Sequence, residues 1–452
     1  MKIAGTSEKF LGGVKGLVEL IPNNRQALLG AFSSLRYHDF RLYFTGQIIS
    51  LIGTWMQQIA MSWLVYRLTG SVLLLATVAF AAQIPSLVVT PFAGVIIDRM
   101  NCRKILFFTQ ILSMLEALTL ATLVLTGAIQ VWHIIALAVF IGTVNSIDNP
   151  TRQTFYKDVV PKDELTNAIA LNSAMINGAR FIGPTVGGLL VAWVGEGLCF
   201  LINGVSYIAV LWALAAMRVR YQPKPRKHTR MIDELREGVT YAFDYLPIRA
   251  VLIIVAVQSF FALPFQTVLP AYVVDVLGKD SKMQGIMMSS IGVGALTAAL
   301  YLAARKKVQG LAKMVTLSGL MFGSGLIAVS LVRVPWVAAV FCYPIGFAMI
   351  SMFASCNTLL QTLVDHDKLG RVMSLYTVSF MGMAPLGCLL QGVVVKAFSL
   401  PWVIGAAGVI SIAAGLVFER FRPAIRRAAR DGYTPKGIVP EIAIGIGLTN
   451  NR

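Results

Sequence analysis

Asn177-Gly178-Ala179-Arg180-Phe181-Ile182-Gly183-Pro184-Thr185-Val186-Gly187-Gly188 lies inside an apolar run long enough to cross a bilayer. The approach to it is Asp148-Asn149-Pro150-Thr151-Arg152-Gln153, a short Val159-Val160-Pro161 corner, then Leu165-Thr166-Asn167-Ala168 and Leu171-Asn172-Ser173. A plain membrane anchor has no use for glycines, prolines and an arginine. Glycine loosens a helix, proline removes a backbone donor, and a charge resists leaving water. The segment therefore does more than anchor the chain.

The surrounding composition makes this a membrane protein. Of 452 residues, 56% are hydrophobic and 13% charged, where a soluble chain carries about a quarter charged residues. Apolar runs of membrane length recur near 42–66, 72–96, 105–126, 132–152, 168–193, 198–217, 249–271, 284–304, 312–332, 336–360, 372–395 and 401–420. Only helices and closed barrels satisfy their backbone in lipid, and these runs are too long for barrel strands. The expectation is an all-α polytopic protein of twelve spans. The N-terminal stretch lacks an apolar core followed by a small-residue cleavage site, so no cleavable leader is expected. Cys102, Cys199, Cys342, Cys356 and Cys388 are scattered and read as small apolar residues rather than a disulfide frame or metal site.

Residues 218–248 divide the spans six and six. Arg218, Arg220, Lys224, Arg226, Lys227 and Arg230 precede an amphipathic run with Ile232, Leu235, Val239, Ala242 and Leu246 on one face, a charged linker with a surface helix. The expected organisation is an N-terminal extension (1–40), an N-terminal bundle (41–217), the linker, a C-terminal bundle (249–420) and a basic tail (421–452). With the N-terminus inside, Arg67, Lys279, Lys282, Arg333 and Lys396 are the external cations among 39 lysines and arginines. That bias predicts both termini in the cytoplasm, and it accounts for most of the net charge of +18 without nucleic acid. The halves echo each other. Val160-Pro161-Lys162-Asp163-Glu164-Leu165 and Val364-Asp365-His366-Asp367-Lys368-Leu369 lead into the fifth and eleventh spans, and Asn172 and Gly183-Pro184 match Tyr376 and Pro385-Leu386-Gly387. Two six-helix repeats around a midplane site is a common transporter plan.

Between the second and third spans, Gly94-Val95-Ile96-Ile97-Asp98-Arg99 is followed by Arg103-Lys104. This spacing resembles the loop signature of the major facilitator superfamily. The resemblance implies that Asp98 and its neighbours meet the start of the eleventh span near Gly370-Arg371, so Gly94, Asp98, Arg99, Arg103, Lys104 and Arg371 form a conformational gate. Asn101 and Cys102 stand where the pattern usually has glycine and arginine. The segment Gly183-Pro184-x-x-Gly187-Gly188, with Gly178 one turn earlier, resembles the antiporter signature of superfamily exporters. Its glycines suit close helix packing, and Pro184 frees the carbonyl of Arg180.

Arg180 must face a cavity or a carboxylate, since an arginine at a span's centre costs at least ~2.5–3.5 kcal/mol to insert. Ser173, Asn177, Arg180, Pro184 and Gly188 form one stripe at i, i+3/i+4 spacing, read as lining the central path. Two acids compete as partner or proton carrier. Asp148, with Arg152 one turn later, is ranked first, and Glu116, mid-span in the third helix, second.

Trp55, Gln57 and Gln58 of the first span, read with Asp148-x-Pro150-x-Arg152-Gln153, resemble the enterobactin-exporter-like branch of the superfamily over about residues 35–420. Gln258, Asn357 and Tyr376 are the parallel cavity candidates in the C-terminal half, with Gln266 and Gln361 beside them. The resemblance implies a secondary active exporter of a siderophore or similar amphipathic molecule, coupled to protons, in the inner membrane and working with an outer-membrane efflux channel. A broad drug or lysophospholipid transporter is the alternative within the fold, and a non-transporting membrane sensor the alternative outside it. No GxxxxGK[ST] or HExxH run occurs, and His38, His133, His228 and His366 are dispersed. Neither cofactor, metal nor catalytic residues are expected.

Overall fold

The computed structural model describes residues 32–217, 240–305, 310–364 and 368–433. Eleven of the described helical stretches are long and apolar enough to cross a membrane. One of them, Leu165–Ala216, is broken at Gly195, whose φ of 80° and ψ of 172° are open to glycine but not to other residues. The stretch therefore holds two spans, and the total is twelve. They are span 1 (His38–Thr69), span 2 (Val72–Arg99), span 3 (Cys102–Leu125), span 4 (Val131–Val159) and spans 5 and 6 (Leu165–Ala216). The second half holds span 7 (Leu246–Val276), span 8 (Ser281–Ala304), span 9 (Leu311–Leu331), span 10 (Pro335–Leu363), span 11 (Leu369–Val394) and span 12 (Leu400–Tyr433).

Each expected apolar run is matched by a helix, and the helices overrun the apolar stretches because the hydrogen-bond ladder continues into polar flanks. Span 12 runs thirteen residues past its expected end, to Tyr433. There Glu419 pairs with Arg422 at 2.7 Å and accepts from Thr316 Oγ1 of span 9 at 2.8 Å. Asn101, read as a departure from a glycine pattern, is the N-cap of span 3, its side chain accepting from the Arg103 amide at 2.9 Å. Spans 7 and 11 each contain a π-turn, Tyr272–Val276 and Val378–Gly382. The second precedes Pro385, which cannot bond the carbonyl of Met381. Residues 1–31 of the expected N-terminal extension and most of the linker lie outside the described residues. The described chain opens with a 3-10 turn, Ser33–Arg36. It is tied to the entry of span 5 by Arg36–Glu164 at 2.7 Å and by the Ser34 amide donating to Asn167 Oδ1 at 3.1 Å.

Packing repeats with a six-span offset. Span 1 packs on spans 5 and 6, span 2 on 4, and span 3 on 6; span 7 packs on 11 and 12, span 8 on 10, and span 9 on 12. The halves meet where span 5 lies on span 8 and span 2 on span 11. This is the two-repeat plan, with both expected leucines, Leu165 and Leu369, opening equivalent helices. Large apolar side chains face outward, and Trp132, Trp193, Trp336 and Trp402 are all exposed at span ends on one side of the bundle. Such a ring suits a membrane interface. That side carries Gly70, Gly195 and Gly278 at its corners and is called the Gly70 face; the opposite side carries Asn101 and Gly310.

The inter-half seam is built from small residues. A Cβ on Gly188 would lie 2.7 Å from the Cα of Gly285 and 2.7 Å from the carbonyl oxygen of Ser281. Gly292 meets Phe181 Cα at 2.9 Å and the Arg180 carbonyl at 3.1 Å, measured the same way. Gly392 of span 11 meets Leu73 and Ala76 of span 2, each at 2.9 Å. Gly188 and Gly392 occupy equivalent places in the repeats, as do Gly183, against span 1, and Gly387, against span 7. Gly178 meets nothing within 4 Å, so it does not belong to the packing segment as expected. Gly188→Val should therefore destabilise the protein by about 1–3 kcal/mol through overpacking, read as a lower melting temperature. Gly178→Ala should melt at or above wild type, and equal losses from both would contradict the seam.

Candidate functional site

Among the described residues, the acids and bases deep in the membrane belong to the N-terminal half: Glu116, Asp148, Arg152 and Arg180. They form three separate sites.

The first joins spans 1, 3 and 4 near their Asn101-face ends. Asp148 is buried and ion-paired with Arg152. Its Oδ1 also accepts from Thr109 Oγ1 at 2.5 Å and Gln110 Nε2 at 2.9 Å, and Arg152 Nη1 donates to Gln47 Oε1 at 2.6 Å. The i,i+4 spacing places both charges on one helix face, as the sequence implied, and span 3 supplies the hydroxyl and amide that satisfy the carboxylate. Tyr43 and Phe155 close over the pair with rings 5.4 Å apart.

The second joins spans 1, 3 and 6. Glu116, also buried, accepts from Gln57 Nε2 at 2.9 Å, and Gln57 Oε1 in turn accepts from Asn203 Nδ2 at 2.6 Å. Glu116 Oε1 has no hydrogen-bond partner among the described residues. Gln57 thus points into the N-terminal bundle, correcting its expected place beside Gln58 on the central path. Gly53 makes the approach possible, because its missing side chain leaves room for Asn203.

The third is Arg180, whose guanidinium carbon stands 5.0 Å from the ring centre of Trp55. Neither acid is its partner: Asp148 is held by Arg152 and Glu116 by Gln57. Its Nε has no hydrogen-bond partner among the described residues. At about 100° per residue, Gly183 and Gly187 point at span 1, and Phe181, Thr185 and Gly188 at span 8. Arg180 and Pro184 project between those directions, toward the space between the halves, while Ile182 and Trp193 on the reverse side are exposed. The Ser173 and Arg180 stripe therefore faces inward; the Asn177 side chain lies outside the described residues. A cation–π contact returns ~0.5–2 kcal/mol, less than the at least ~2.5–3.5 kcal/mol that insertion of the charge costs.

Span 1 supplies the facing wall. Thr54 and Gln58 are exposed on the side that continues to Ser62, whose hydroxyl accepts from Gln284 Nε2 of span 8 at 2.8 Å. In the C-terminal half, Gln258 is fully buried against span 12, bonded to Ser411 Oγ at 2.7 Å and to the Ser411 carbonyl at 3.1 Å. Tyr376 donates to the Phe353 carbonyl at 3.0 Å. Both are packing groups, a correction to their expected place on the path. Asn357 and Gln361 bond each other at 2.6 Å in an exposed position, and Gln266 Nε2 lies 3.2 Å from Met349 Sδ.

Of the expected gate, Gly94, Asp98 and Arg99 lie on the span 2 helix with side chains outside the described residues, and Lys104 is exposed. Among the described residues, Arg103, expected at the gate, makes its side-chain hydrogen bonds within its own half. It donates to the carbonyls of Leu214 at 2.6 Å and Ala215 at 2.9 Å, capping span 6 within its own half. Arg371 sits in the first turn of span 11, its amide bonded to the Lys368 carbonyl at 3.1 Å.

Among the described residues, the hydrogen bonds joining the halves lie toward the Gly70 face. Tyr66 donates to Asp275, Gln284 to Ser62, and Ser281 to the Gly188 carbonyl, and Thr185 meets Ser289. The sequence reading missed this set. Its signal was the Ser281, Gly285, Ser289, Gly292 stripe of span 8, small residues on one helical face.

A model of the transmembrane secretion effector family matches residues 29–446. The staphyloferrin A transporter of Staphylococcus aureus is 25% identical over 84% of this chain and 95% of its own length. The multidrug efflux pump Tap of Mycolicibacterium fortuitum is 23% identical over 76% of this chain and 85% of its own. Macrolide efflux protein A of Streptococcus pyogenes is 24% identical over 79% and 90%. Among solved structures, a POT family transporter aligns with a TM-score of 0.69 at 12% identity, over 85% of this chain and 96% of its own. A bacterial homolog of the human lysosomal transporter Spinster aligns at 0.63 and 12%, over 88% and 98%. The solved structures share the fold, and the family model matches nearly the whole chain: the protein belongs to the transmembrane secretion effector family of the major facilitator superfamily.

Proposed function

We propose that this protein exports an amphipathic, siderophore-like small molecule by alternating access, driven by proton antiport across the inner membrane. One observation carries the reading. The halves are joined by small-residue seams and hydrogen bonds toward the Gly70 face, with Arg180 and Trp55 just beyond them in the space between the halves. With the orientation that the positive-inside rule favours, the Gly70 face is external and the arrangement is an inward-facing state. The seam contacts are flat and few in side-chain atoms, which suits an interface that parts and re-forms.

Glu116 is the better proton carrier of the two acids, reversing the order that the sequence suggested. Asp148 already holds a guanidinium and two further donors, so a proton there would break an ion pair. Glu116 faces an amide and keeps one oxygen unpartnered among the described residues, so it can take or release a proton with its bond to Gln57 intact.

Three experiments test this reading. Thr185→Cys with Ser289→Cys, in a background with the five native cysteines replaced, should form a disulfide across the seam and abolish efflux from proteoliposomes until reductant is added. Full flux in the oxidised protein would reject alternating access. Glu116→Gln should leave flux down a substrate gradient in place and remove its acceleration by an imposed pH gradient; unchanged acceleration would move the carrier elsewhere. Asp148→Asn should destabilise the protein by about 3–5 kcal/mol, because it strands the buried Arg152. A wild-type melting temperature in that variant would show that the pair contributes little to the fold.

A further inference from the structure

We propose that Arg180, in cation–π contact with Trp55, is an anion subsite that takes the carboxylate of an aromatic carboxylate cargo. The inference rests on the exporter reading for its direction of access but on separate observations for its chemistry.

The guanidinium is a planar fork whose edge matches a carboxylate with two parallel hydrogen bonds. Here its carbon stands 5.0 Å from the centre of the Trp55 ring, and its Nε, sealed from solvent, has no hydrogen-bond partner among the described residues. A charge held at the centre of a span with only a π-face beside it is under-compensated. The acids deep in the membrane are unsuited to compensate it, since Asp148 is bound by Arg152 and Glu116 by Gln57. The side chain is nevertheless partly exposed and lies in the angle between spans 1 and 8, so a ligand between the halves reaches its edge. The same ligand would extend its ring along Trp55 and meet Gln58 and Thr54, exposed on the adjoining face of span 1.

The repeat makes the subsite single. Ala384 of span 11 occupies the place in the second repeat that Arg180 holds in the first, as the pairing of Gly183 with Gly387 and Gly188 with Gly392 requires. Cargo therefore docks its carboxylate and ring against the N-terminal half and leaves the remainder of its body to face the C-terminal half. Pro184 contributes by freeing the Arg180 carbonyl, which turns to Gly292 of span 8, so the arginine's backbone is fixed at the seam.

The test uses the full-length protein in nanodiscs, with salicylate as the aromatic carboxylate and salicylamide as its neutral counterpart. Calorimetry and thermal melts are the readouts. Salicylate should bind and raise the melting temperature of the wild type, with salicylamide much weaker. Arg180→Gln should weaken salicylate by roughly ten- to a hundredfold, the scale of hydrogen bonds to a charged group, and leave salicylamide unchanged. Trp55→Phe should weaken salicylate less, because the fork remains. Without ligand, Arg180→Gln should melt no lower than wild type, since it removes an under-compensated charge. The proposal is overturned if the wild type does not bind salicylate, if Arg180→Gln binds it equally well, or if the unliganded variant melts markedly lower, which would mean the protein already compensates the charge. Arg180-dependent binding together with full flux in the oxidised Thr185→Cys/Ser289→Cys protein would sink the alternating-access reading and keep the subsite. Arg180-independent binding with flux blocked by that disulfide would do the reverse.

Discussion

Two helix backbones must come into contact inside a membrane, and the structure depends on how that is arranged at Gly188 and Gly285. In lipid there is no hydrophobic gain from burying one apolar helix against another, so association rests on close packing and on hydrogen bonds between helices. Removing the side chains at Gly188, Gly285 and Gly292 lets spans 5 and 8 approach until Ser281 reaches the Gly188 carbonyl and Thr185 reaches Ser289. The same device recurs at Gly392 against span 2, and the two seams flank the space between the halves. Pro184 serves that end as well, since its own carbonyl lies against Gly285 and the one it frees lies against Gly292.

The repeats are alike in packing and unlike in chemistry. The N-terminal half holds the deep charges, each with a different degree of satisfaction. Asp148 and Arg152 neutralise each other and are further hydrogen-bonded, which suits a structural pair. Glu116 is half satisfied by an amide. Arg180 has an aromatic face and an open edge. At the equivalent depth the C-terminal half offers amides and sulfur, with Gln258 and Tyr376 turned to its own helices. The deep charges thus lie on one side of the space between the halves, and uncharged groups on the other.

Much of this was legible in the chain. Twelve apolar runs, a charged break after the sixth and the matched Leu165 and Leu369 entries fix the architecture, because a span must be long, apolar and helical whatever surrounds it. The Asp148–Arg152 pair follows from spacing along one helix, and the inward-facing stripe through Arg180 follows from helical periodicity. Partners on other helices did not follow. Gln57 and Gln58 are adjacent and chemically identical, yet one is bonded to Glu116 and the other exposed, a matter of which neighbour each side of span 1 faces. Arg103 looked like part of a gate and caps span 6, because the end of that helix stands beside it. Gly178 looked like its neighbours and packs against nothing.

The sequence by itself determined the number of spans, their pairing into repeats and the presence of glycine, proline and arginine in span 5, since these rest on local properties: hydropathy, helical period and missing backbone donors. The tertiary structure decided that Glu116 is bound by Gln57, that Gln58 is exposed, and that Gly188 meets span 8 while Gly183 meets span 1. Those outcomes depend on how helices are rotated against one another. Apart from i,i+4 pairs such as Asp148–Arg152, a polar residue in a membrane helix takes the partner that a neighbouring helix brings within about 3 Å, and no property of its own helix names that partner.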